Sequence, residues 1–106
     1  MPKFLVQGSY TTEGAKGLVR EGAASRKSAV EKMIGKLGGK VEAFYFAFGE
    51  ADVYVIVDVP DNQTATAFAL AVNQSGAVNV RTVVLMTPEE VDQSLKKQVE
   101  YRAPGH

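Results

Sequence analysis

The chain has no cysteine and no tryptophan, and its one histidine is the last of 106 residues. Without cysteine there is no disulfide framework, no thiol nucleophile and no thiolate-ligated zinc or iron–sulfur centre. A catalytic or metal-ligating histidine needs a held tautomer and ring orientation. His106, trailing Pro104-Gly105, has nothing to hold it. Ser-His-Asp triads, zinc hydrolysis and histidine-ligated haem are therefore not expected, and neither is any metal site. An excess of one charge is also missing, because Lys plus Arg and Asp plus Glu each number 12. Nucleic-acid binders draw most of their affinity from a basic excess that neutralises phosphates, so no nucleic-acid partner is expected. No apolar run approaches the roughly 20 residues of a membrane helix. The opening Met1 to Val6 is too short an apolar run for a signal peptide, so a soluble, cytoplasmic protein without a membrane partner is expected. Gly8, Gly14, Gly17 and Gly22 miss both the dinucleotide and the P-loop spacings. They read as turn and helix-end residues, and no organic cofactor is expected.

What is present is ordinary for a globular protein: 45% hydrophobic and 23% charged residues. The length suits one domain, read here as residues 1–100 with a loose tail at 101–106. Residues 3–10 pattern as a strand, followed by a short helical turn around Glu13 to Val19. Val30, Met33, Ile34 and Leu37 share one helical stripe, which predicts a helix over 23–37 stopped by Gly38-Gly39. Residues 40–48 and 52–59 read as a hairpin around Gly49-Glu50-Ala51. Asp61 suits a helix N-cap, with Ala65, Phe68, Ala69 and Val72 on one face and Gly76 at the end. Val78 to Met86 read as a fourth strand. Thr87-Pro88-Glu89-Glu90 combines a Thr cap, Pro at the first helical position and Glu at the third, so it reads as a capping box. It predicts a last helix over 88–99 whose Val91, Leu95 and Val99 dock on the body or on a neighbour. The order predicts an α+β fold: a ferredoxin-like βαββαβ sandwich with a four-stranded antiparallel sheet plus a C-terminal helix.

Helices cover one face of such a sheet, yet strands two and four are apolar on both. Val41, Ala43, Tyr45 and Ala47 alternate with Glu42, Phe44, Phe46 and Phe48, and Val78, Val80, Val84 and Met86 with Val83 and Leu85. A half-solvated strand would show a polar row instead. The second face is expected to pair with another copy of the chain, as a homodimer or higher homo-oligomer.

Tyr10-Thr11, Gly14, Arg26, Gly38-Gly39, Tyr45, Gly49, Asp52, Pro60-Asp61, Ser75-Gly76 and Arg81-Thr82 occur in an order that resembles the GYD-domain family of small bacterial proteins. The likeness spans nearly the whole chain. The name-giving Gly-x-Tyr-Asp stands here as Gly49-Glu50-Ala51-Asp52, with Ala51 in the place of Tyr. The resemblance implies a dimeric α/β barrel and no particular activity. Its wider superfamily includes cofactor-free monooxygenases, muconolactone isomerases, haem enzymes and amino-acid-sensing regulatory domains, so fold does not name the function.

The polar residues that could share a cleft are Tyr10, Lys16, Arg26, Tyr45, Tyr54 and Arg81. Strand parity puts Val53, Val55, Val57 and Val59 toward the helices, and Asp52 and Tyr54 toward the second face. Asp52 reads as a ligand-orienting acceptor or general base, or as a turn residue bonding backbone N–H groups. Arg81, mid-strand among apolar neighbours, must be paired or serve a ligand. A guanidinium with Tyr10, Tyr45 and Tyr54 would suit a small anionic or aromatic molecule, whereas an ion pair with Asp52 or Glu42 would make it scaffold. Lys16 reads as a rim charge or a solvated helix end. Two functions follow: binding, with or without conversion, of such a metabolite, or a non-catalytic regulatory or interaction module that works through assembly.

Overall fold

The computed structural model describes residues 1–106. Its elements are β1 (Lys3–Tyr10), α1 (Thr12–Glu21), α2 (Ala23–Lys36), β2 (Lys40–Phe46), β3 (Val53–Asp58), α3 (Asn62–Gln74), β4 (Val78–Leu85) and α4 (Pro88–Leu95). The strands form one antiparallel sheet in the order β2-β3-β1-β4. That is the expected α+β, ferredoxin-like architecture, with the first crossover carrying two helices instead of one. No helix is long and apolar enough to cross a membrane.

The valine row behaves as its parity predicts. Val53, Val55, Val57 and Val59 are buried together with Phe4 and Val6 of β1, under Val30 and Ile34 of α2 and Ala65 and Phe68 of α3. Ile34, Val57 and Val59 are wholly enclosed. Each such side chain contributes about 1.5–3 kcal/mol relative to leaving it in water.

The segment expected to be a short turn is a full helix. Thr11 caps α1, its hydroxyl accepting from the Gly14 amide at 3.2 Å and donating to the Gly76 carbonyl at 2.8 Å. Gly22, at φ 87°, separates α1 from α2 in a conformation that side chains other than glycine's disfavour. Gly14 is glycine for a steric reason, because a Cβ there would collide with the Ala77 carbonyl oxygen. The N-terminus of α1 can therefore lie directly on the start of β4.

The hairpin is looser than its sequence suggested. β2 ends at Phe46 and β3 begins at Val53, and Ala47 and Asp52 close the connection through a 2.8 Å amide-to-carbonyl bond. A bulge between Val41 and Ala43 also breaks the alternation in β2. Val41 therefore packs on the core with Phe44, while Ala43 and Tyr45 look the other way.

α4 carries the expected capping box, with Thr87 accepting from Glu90 N at 3.1 Å and Glu90 accepting from Thr87 N at 2.9 Å. It stops at Leu95 instead of continuing to 99, and none of its residues is buried. The expected docking on the chain's own body is absent. Without tertiary support the last turn has nothing to offset its ordering, since short helices are marginal in water.

Candidate ligand cleft

α1, α2 and α3 do not close over the end of the sheet where β1 stops and β4 starts. An open cleft of about 790 Å³ remains there, walled by Leu18, Met33, Phe68 and Val72 and crossed by Tyr10 and Arg26. It leads down to a small apolar recess of about 30 Å³ between helices and sheet, floored by Gly8, Val53, Val78 and Val80. Small-molecule sites have this character, mostly apolar with a few placed polar groups, in volumes of about 300–1,000 Å³. Gly8 helps to make the recess, because a Cβ there would stand 2.8 Å from Val53 Cγ1 and 3.2 Å from Val78 Cγ1.

Tyr10 is the last residue of β1, and its position is fixed from below. Its amide donates to Asp52 Oδ2 at 2.8 Å, while the Asp52 amide donates to the Gly8 carbonyl at 2.8 Å. Asp52 thus bonds backbone N–H in the way a turn residue does. The Tyr10 phenol is half-buried against the cleft wall. Burial pushes its pKa above the usual value near 10, and the Arg26 guanidinium beside it pulls the other way. At neutral pH the phenol keeps its proton and can donate a hydrogen bond.

Arg26 lies one turn before Val30 on the stripe that α2 buries. It forms no ion pair with any carboxylate. Glu13, Arg20 and Glu21 also border the cleft but are exposed at its rim, so Arg26 is the only charged group there partly withdrawn from water. A partly desolvated guanidinium without a carboxylate is costly unless something anionic or aromatic meets it.

The other candidates lie on the opposite face of the sheet. Tyr45, Tyr54, Gln7 and Arg81 are register partners in one cross-strand row running from β2 to β4. Next to it run Ala43, Ile56, Leu5 and Val83, and next again Lys40, Asp58, Lys3 and Leu85. At the last row Lys3 Nζ stands 2.8 Å from both Asp58 Oδ1 and Glu42 Oε1, and those two carboxylates hold the Lys3 ammonium above its ordinary pKa. Arg81 is exposed and pairs with no carboxylate, which corrects the expectation of a buried mid-strand charge. The reason is strand order: β4 is an edge strand, so a long side chain at its middle reaches water. Lys16 is exposed on α1.

Of the six polar residues the sequence singles out, the structure brings Tyr10 and Arg26 together in the cleft and sets Tyr45, Tyr54 and Arg81 in one row on the other face. The usable signal was a charged residue on the buried stripe of α2. Met33, Phe68 and Val72 read from the sequence as helix-stripe core and Gly8 as a turn residue, because nothing local separates a cleft wall from ordinary core. Ala51, standing in the family's Tyr position, is buried at the end of the hairpin loop. No curated protein and no solved structure matches the chain. The family model described as GYD domain matches residues 4–95, and the chain belongs to the GYD domain family.

Proposed function

We propose that this protein binds a small anionic metabolite with an apolar or aromatic body in the cleft between its helices and the end of β1. The observation that carries this reading is the half-buried Arg26, unpaired by any carboxylate, beside the neutral Tyr10 phenol at the mouth of an apolar recess. The guanidinium supplies charge and a planar pair of donors, the phenol a third donor, and Phe68, Met33 and Val72 the apolar contact. Recognition then needs only protein groups, in keeping with a chain that lacks cysteine and has its sole histidine at the end.

Arg26→Met keeps the length of the side chain and removes its charge. Ligand-observed NMR with a panel of aromatic and aliphatic carboxylates should show binding to the parent chain and at least about tenfold weaker binding to the variant, since hydrogen bonds to charged groups are worth about 1.5–3 kcal/mol. No carboxylate binding to the parent, or equal binding to both, would sink the reading.

A second reading rests on a different surface. Leu5, Ile56 and Val83 form an apolar strip in the middle of the helix-free face, between an ionic row and a tyrosine-rich one. An apolar centre with a polar margin is the anatomy of a protein interface. The occupant we infer for it is a second copy of the chain, giving a homodimer, and that assembly is compatible with the cleft, which opens on the opposite face.

A further inference from the structure

The protein presents more surface than its mass requires. Its accessible area is 7556 Å², where a globular monomer of 11.4 kDa presents about 5,800 Å². Its Cα radius of gyration is 16.9 Å, against about 13 Å for a compact chain of this length. The excess, about 1,800 Å², is larger than the roughly 800 Å² each partner gives up in a standard interface. Much of it lies beyond the end of the sheet. Met86, Leu95 and Val99 are each more than half exposed, at 53%, 76% and 80%, and Val91 is 42% exposed.

This segment is built to be ordered and yet touches little. The capping box satisfies the first amides of α4, while neither of its apolar side chains, Val91 and Leu95, is buried in the protomer. Its charges are also asymmetric: Glu89, Glu90 and Asp92 precede Leu95, and Lys96 and Lys97 follow it directly, with one acidic residue, Glu100, further on. Under a two-fold rotation such a pattern complements itself, acidic start against basic end, as an isologous contact requires. A partner of different sequence would have to supply that match independently.

We propose that residues 86–101 form a clasp that docks on a second copy of this chain, the same copy that covers the helix-free face. The proposal rests on the homodimer reading above and adds to it a second contact surface. One apolar strip and one clasp on each copy are then covered in a single closed assembly.

The test is a dilution series by sedimentation velocity on three forms of the full chain: the parent, Val91→Asp with Leu95→Asp, and Lys96→Glu with Lys97→Glu. The parent should sediment as a dimer at micromolar concentration. The aspartate pair should raise the dimer Kd at least about 100-fold, because apolar side chains are lost from both clasps. The lysine reversals leave the apolar stripe intact, so they guard against misfolding as the cause. They should raise Kd about tenfold or more. Ile56→Asp, on the strip itself, separates the two claims. If it dissociates the dimer while both clasp variants match the parent, the homodimer stands and the clasp is overturned, its segment serving some other occupant. A parent chain that remains a monomer at high concentration overturns both.

Discussion

One face of the sheet is covered by the chain itself, and the other face and the C-terminal segment are left uncovered. Under α2 and α3 the alternate residues of β1 and β3 are valine and phenylalanine, nearly sealed from water. On the far side the same strands show Lys3, Leu5, Gln7, Tyr54 and Ile56, all partly accessible. The inner set carries protomer stability and tolerates little change. The outer set is mixed in chemistry and ordered in rows, and mixed rows suit recognition better than they suit a core.

The most severe break in that contrast comes from the inner side. Ile34→Ala removes a wholly enclosed side chain and should lower unfolding free energy by about 2–5 kcal/mol in a denaturant titration. An effect near zero would mean that α2 is not packed on the sheet in solution. On the uncovered side, Thr87→Ala should shift the helix–coil balance of α4 by about 1 kcal/mol through the lost cap. Because α4 is not docked on its own protomer, amide exchange in 88–95 should speed up while global unfolding of the protomer barely moves. The cap has a pH dependence of known sign. The backbone and side chain of Thr87 hold the Glu90 carboxyl below its ordinary value of 4.5, so the cap is fully present above that value. It is lost as pH falls through the depressed pKa. The Thr87 amide resonance, followed by NMR from pH 6 to 2, should report that step. Arg81→Met should be mildest, changing protomer stability by less than about 0.5 kcal/mol, because the side chain is exposed and unpaired. A loss of about 3–5 kcal/mol would instead place a partner carboxylate against it in the assembled protein.

Much of the architecture was legible because it rests on local rules. The valine row of β3, the buried stripe of α2 and the caps at Asp61 and Thr87 each declare themselves within a dozen residues. What was not legible depended on neighbours far along the chain. Arg81 read as buried because its sequence neighbours are apolar, but an edge position follows from strand order, which no local pattern encodes. Val41 and Ala43 read as one face of β2, yet lie on opposite faces, because the bulge between them carries no glycine or proline to announce it. The pairing of Tyr10 with Arg26 needs the α1–α2 corner at Gly22, whose positive φ folds the chain back over the end of β1. In the cleft, residue types were readable and their apposition was not.

The position of β1 between β3 and β4 has a consequence for how the chain is made. Lys3 pairs with both Asp58 and Leu85, so β1, the earliest-made strand of this sheet, finds its last partner only once β4 has been synthesised. Until then one edge of β1 stays open, with Phe4 and Val6 incompletely covered. Pairings of such long sequence separation slow folding toward the millisecond-to-second range. Synthesis at about 5–20 residues per second leaves that edge exposed for several seconds between β1 and β4. A nascent chain of this design is therefore most vulnerable to misassociation before its final strand arrives.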